Sequence, residues 1–132
     1  MMSHEIKQRV IQKISAGKAA IAIGSSKWRL GEEIVHVRYC SNPKSDGNSY
    51  PFNINCNTLS ADFELWICND DTHYYLFPTS IMRHIYDDPA AYVDKAHPDI
   101  RIAEVNVKSH RLLFGRDAKH LDASRYFGAN LS

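Results

Sequence analysis

From residue 61 to residue 78 the chain reads Ala-Asp-Phe-Glu-Leu-Trp-Ile-Cys-Asn-Asp-Asp-Thr-His-Tyr-Tyr-Leu-Phe-Pro, two apolar runs joined by a short polar loop. This pattern predicts a β-hairpin. In its first arm Phe63, Leu65 and Ile67 alternate with Asp62, Glu64 and Trp66, which assigns aliphatic side chains to one pleat face and the carboxylates to the other. Tyr74, Tyr75, Leu76 and Phe77 form the second arm, and residues 68–73 the turn. Upstream, Ile6, Val10, Ile11 and Ile14 recur at helical spacing after a capping Ser3, and Gly17 ends that helix. Residues 19–23 form a short apolar strand, followed by a Gly24-Ser25-Ser26 turn and an exposed basic segment at Lys27-Trp28-Arg29. Alternation predicts strands over 33–40 and 50–55, separated by the polar loop 41–49. Short connections make these two strands and the hairpin neighbours in an antiparallel meander.

Beyond Pro78 the spacing of Ile81, Met82 and Ile85 predicts a helix over 80–86 capped by Thr79, and Pro89 opens a second helical stretch to Ala96. Strands over 101–108 and 111–114 make a second hairpin. In the tail, Tyr126 and Phe127 beside Arg116, Lys119 and Arg125 suit docking onto the core better than base stacking. The elements add up to an α/β (α+β) single domain: a mixed, mostly antiparallel central sheet of about five to seven strands with flanking helices.

Composition alters this picture little. The chain has 132 residues, 44% hydrophobic and 23% charged, enough for a core without metal or disulfide staples. No apolar run reaches the roughly 20 residues of a membrane span, so no membrane association is expected. The first residues are polar and lack the apolar core of a secretory signal, which predicts a cytoplasmic location. Cys40, Cys56 and Cys68 show no close pairing and read as small buried hydrophobes. Charge is uneven along the chain. Residues 1–49 hold eight Lys and Arg against four Asp and Glu, whereas residues 50–90 hold one against six. A basic N-terminal side carrying Lys27, Arg29, Arg38 and Lys44 could face nucleic acid, and the acidic middle could face a basic protein.

The strand Val35-His-Val-Arg-Tyr-Cys-Ser, then Tyr50-Pro-Phe-Asn-Ile-Asn, then Ala61-Asp-Phe-Glu-Leu-Trp-Ile-Cys and Tyr74-Tyr-Leu-Phe-Pro follow one another in an order that resembles the core of the PD-(D/E)XK, or restriction-endonuclease-like, nucleases over residues 33 to 90. In small members of that group a strand bearing Glu/Gln-x-Lys precedes an aromatic strand, an Asp-aromatic strand and a Tyr-Tyr-x-x-Pro strand. The resemblance implies a restriction-endonuclease-like core with the catalytic positions at His36 and Arg38. Both depart from the pattern, because imidazole is a poor ligand for hard Mg²⁺ and a guanidinium cannot serve as a base. Between Ser15 and Ile34 the acids are Glu32 and Glu33 alone, so the upstream metal-binding Asp is missing as well.

The resemblance therefore implies a DNA-binding, nucleic-acid-associated protein with nuclease ancestry and a lost metal site, with no enzymatic activity and no cofactor. Two alternatives stand beside it. One is a protein interaction module such as a phage-type inhibitor or immunity protein. The other is an active nuclease whose Mg²⁺ site has migrated to Asp62 and Glu64, with Asp70, Asp71 and His73 of the hairpin loop within reach if the acidic end of the strand meets that loop. Nucleic acid, another protein and a second copy of the chain are thus the partners to consider. The seven histidines contain no His-x-x-x-His, and there is no Cys-x-x-Cys, so no structural zinc is expected.

Overall fold

A computed structural model describes residues 2–132 as an α+β fold of two helices and two mostly antiparallel five-stranded sheets. Helix α1 (Ser3–Ser15) carries Ile6, Val10, Ile11 and Ile14 on its buried stripe and ends where Ala16 and Gly17 turn into the left-handed region, at φ 52° and 85°. Met2, not Ser3, occupies the N-cap position, with no side-chain cap bond.

The first sheet has the order β1-β2-β3-β5-β6, with strands β1 (Ala20–Ala22), β2 (Lys27–Leu30), β3 (Glu33–Cys40), β5 (Phe63–Cys68) and β6 (Tyr74–Pro78). The segment Lys27-Trp28-Arg29 is thus part of a paired strand instead of an exposed loop. In the second sheet the order is β10-β9-β8-β4, built from β4 (Ser49–Asn55), β8 (Ile100–Asn106), β9 (Arg111–Gly115) and β10 (Lys119–Asp122), with β7 (Tyr92–Val93) also paired to β8. Between the sheets in sequence, α2 (Thr79–Tyr86) directly follows β6, and the Thr79 hydroxyl donates to the Ala61 carbonyl at 2.6 Å.

Two sheets replace the single central sheet and the meander expected from the short loops. After β3 the chain leaves for the second sheet, runs as β4 against β8, and returns as β5, which lies parallel to β3 in the register Val35↔Phe63 to Cys40↔Cys68. Parallel neighbours need a crossover, and here a strand of the other sheet supplies it. The cause is burial on both faces. Leu65 and Ile67 pack with Val35, Val37 and the α1 stripe, whereas Trp66 and Cys68 pack with Tyr50, Phe52 and Ile54 of β4, Val105 and Leu112 of the second sheet, and Met82 and Ile85 of α2. The layers are helix, sheet, sheet. The carboxylate face of the hairpin is accordingly no solvent face: Glu64 is 2% exposed. Phe63 is half-buried.

Residues 89–96 form a turn and β7, not a helix. The Asp88 carboxylate accepts from Ala90 N at 2.8 Å, and Asp94 Oδ1 accepts from Ala96 N at 2.9 Å, so both acids stabilise turns in preference to a helix. The tail docks as expected, Phe127 bridging to Tyr75 of β6 and Leu131 N donating to the Ile14 carbonyl, but it also contributes the strand β10. Of the cysteines, Cys68 is buried, Cys40 half-buried and Cys56 exposed. No described helix is long and apolar enough to cross a membrane.

Candidate functional site

Strand register decides which side chains share a face. Lys27 of β2, His36 of β3 and Glu64 of β5 stand in one row across three adjacent strands, Arg38 aligns with Trp66 in a second row, and Arg29 aligns with Ile34 in a third. All point away from α1. Toward β5 and β6 this face is covered by the second sheet and α2. Toward β1 and β2 it is open, with Arg29 exposed and Lys27 half-buried. Where cover gives way to solvent lies a cleft of about 450 Å³, lined by residues 36–39 of β3, by Pro51, Phe52 and Asn53 of β4, by Ser26, and by Lys7 of α1. β4 is the terminal strand of its sheet, so its free edge faces this space.

His36 Nδ1 lies 2.8 Å from Glu64 Oε2, with the two side chains 7% and 3% exposed. The imidazole Nδ1–H donates and the carboxylate accepts, which leaves Nε2 at the far edge of the ring. Nε2 has no hydrogen-bond partner and is not among the solvent-inaccessible orphans; those are Glu64 Oε1 and Arg38 Nε. Each buried unpaired polar atom costs about 1 to 3 kcal/mol, so the pair is an expensive way to fill a sheet interior. Glu64 and Arg38 form no ion pair with each other within 4.0 Å, and none of Lys27, Arg29 or Arg38 has a carboxylate within that distance among the described residues. No carboxylate lines the cleft.

The fourth expected basic residue is elsewhere. Lys44 lies 3.5 Å from Glu104 beside Tyr92, Ile102 and Leu113, on the outer face of the second sheet. Nor do the proposed metal ligands converge. Asp62 Oδ2 accepts from Ile34 N at 2.8 Å and Glu64 turns to His36, whereas Asp70 and Asp71 follow the opposite end of β5, on the order of 20 Å away at strand rise. Among the described residues no three His, Cys, Asp or Glu side chains are grouped to hold an ion.

The acidic middle of the sequence is partly neutralised by pairing and burial. Asp71 lies 3.8 Å from Arg9 and 3.7 Å from Lys13 of α1, Asp88 is 2.6 Å from Lys119, and Glu64 is buried. Asp70 Oδ1 accepts from Thr72 N, Thr72 Oγ1 and His73 N and lies 2.9 Å from His73 Nδ1; burial works to raise its pKa, but the bonds from Thr72 and from the His73 ring outweigh it and hold the carboxyl down at about 2. A larger groove, about 540 Å³, runs between α1 and β1–β2 past Arg9, Gln12 and Trp28, but none of the buried polar side chains lies in its wall.

Sequence reading named His36, Arg38, Lys27 and Arg29 but missed that Glu64 is the partner of His36 and that Pro51 to Asn53 line the same cleft. Pro51 carried a usable signal, since proline within a strand favours an edge position. No protein-family model, curated protein or solved structure matches this chain.

Proposed function

We propose that the chain binds nucleic acid on the open face of the first sheet, with Lys27, Arg29 and Arg38 meeting the phosphate backbone and the cleft beside β4 receiving part of the strand. The observation that supports this reading is that three cations, in three rows of one sheet face, have no carboxylate within 4.0 Å and stand next to a cleft with no carboxylate in its wall. Elsewhere Arg9, Lys13, Lys44 and Lys119 are matched to acids, which lowers their value as phosphate contacts. The likeness of residues 33 to 90 to PD-(D/E)XK nucleases points the same way, toward a nucleic-acid surface of nuclease ancestry with its metal site lost. A polyanion is attracted to such a face by Coulomb forces and counterion release, not by base reading.

Fluorescence anisotropy with labelled single-stranded RNA and duplex DNA at several salt concentrations tests the proposal. The slope of log K against log salt is expected near −0.7 per phosphate contact on a single strand and about −0.9 on a duplex. Lys27→Glu with Arg29→Glu should weaken binding to all sequences alike, and Lys44→Glu should not. Salt-independent affinity, or equal losses from Lys44→Glu, would contradict this assignment of the surface.

A further inference from the structure

The His36 and Glu64 pair is more than an anion site requires. A basic groove needs fixed positive charge, yet this one is lined by a buried imidazole whose Nδ1 is held at 2.8 Å by a carboxylate that is 2% exposed, so that Nε2 is the ring nitrogen left without a partner, and it is not sealed from solvent. Orienting one imidazole nitrogen through a carboxylate on the other is the arrangement by which proteins set a general base. Arg38, two residues along the same strand face and about 7 Å away at strand rise, also lines the cleft. Its Nε is enclosed, while its two Nη atoms have no hydrogen-bond partner and stay open to solvent.

From this geometry we infer that the cleft cleaves single-stranded RNA by internal transfer, with His36 as general base, Arg38 as stabiliser of the phosphoryl oxygens and Glu64 as the residue that positions His36. The inference rests on the nucleic-acid reading of the same face. RNA is the substrate class because one base and one guanidinium suffice when the nucleophile is already tethered. The 2′-hydroxyl sits beside its own phosphorus, and that proximity replaces the positioning of an external water. His36 Nε2 takes the 2′-hydroxyl proton as the 2′-oxygen to phosphorus bond forms. The phosphorus to 5′-oxygen bond breaks, and the departing 5′-oxygen takes a proton from water in the open cleft. The imidazolium then returns its proton to solvent. The products are a 2′,3′-cyclic phosphate and a 5′-hydroxyl, with no net consumption of acid, base or water. Charge gathered on the phosphoryl oxygens meets the Arg38 Nη donors, and no step needs a metal ion to balance.

The test is incubation of the full chain with a labelled single-stranded RNA in EDTA, the ends identified by mass spectrometry. Cleavage with cyclic phosphate and 5′-hydroxyl ends is expected, abolished when the RNA carries 2′-deoxy sugars, although that strand still binds. His36→Gln should lower the rate by about 100-fold or more, the usual weight of a general base. Glu64→Gln should lower kcat with RNA affinity unchanged, which a loss of folding would not do, and Lys44→Glu should cut at the wild-type rate. The deoxy control and the end analysis use wild-type protein, so they decide the question even if a His36 variant fails to fold. RNA that binds but is not cut overturns the catalytic inference and leaves the binding reading standing; RNA that does not bind overturns both. Cutting that requires Mg²⁺, leaves 5′-phosphate ends or persists undiminished in a folded His36→Gln protein also overturns it.

Discussion

Trp66 of β5 lies flat on Phe52 of β4, ring centroids 4.6 Å apart and planes within 11° of parallel, and this stack joins the first sheet to the second. Phe77 meets the indole edge-on, ring centroids 5.0 Å apart and planes at 70°. Both partners are buried, Trp66 completely.

Removing either ring should therefore separate the layers. Phe52→Ala and Trp66→Ala are each expected to cost about 3 to 5 kcal/mol in urea unfolding, the range for large aromatic truncations in a core. The double variant should cost less than the two losses added together, because the stacking is lost once and contacting residues couple. Strict additivity would show that the rings do not depend on each other.

A second expectation concerns the buried pair. Glu64→Leu should destabilise by about 1 to 3 kcal/mol, since it leaves His36 Nδ1 without an acceptor. His36→Leu combined with Glu64→Leu should recover wild-type stability or exceed it, because an apolar pair avoids the desolvation that buried polar partners incur. If the double variant proved less stable than either single one, the pair would be a structural brace and its functional reading would lose this support.

The hairpin turn gives a pH-dependent expectation. Asp70 has its pKa lowered from 3.8 to about 2 by the turn's hydrogen bonds, against the opposing and larger single effect of burial. A depressed carboxyl contributes stability above its unfolded value that disappears as pH falls through the folded one. The stability gap between wild type and Asp70→Asn should be full at about pH 5, begin to close below 3.8 and vanish near 2, as measured by urea unfolding across that range. A gap constant with pH would mean that the charge of Asp70 plays no part in the turn.

Local periodicity made much of the secondary structure legible. The α1 stripe, the alternation of β3 and the apolar arms of β5 and β6 each lie within a few residues of chain, and steric rules act at that range. The sequence even held a hint of double burial, since Trp66 and Cys68 place apolar groups opposite Leu65 and Ile67, which marks a strand covered on both faces. The helix expected over 89–96 failed because its one strong signal, Pro89 after two acids, fits a turn equally well.

What the sequence by itself determined, then, was most of the stretches that would be helix or strand, and that His36 and Arg38 of β3 would share a strand face; that Lys27 and Arg29 join them came only with the pairing of β2. Tertiary structure alone decided the rest. His36 and Glu64 are 28 residues apart, and they meet because β4 was drawn to the second sheet, freeing β5 to lie parallel to β3. The same packing set Asp71 against Arg9 and Lys13 and Asp88 against Lys119, and it buried Glu64, so the charge split seen along the chain is reduced on the surface. Alternation reports that a strand has two faces; it carries no information on which other strand will cover them, because that choice is set by the apolar area distant segments bury together.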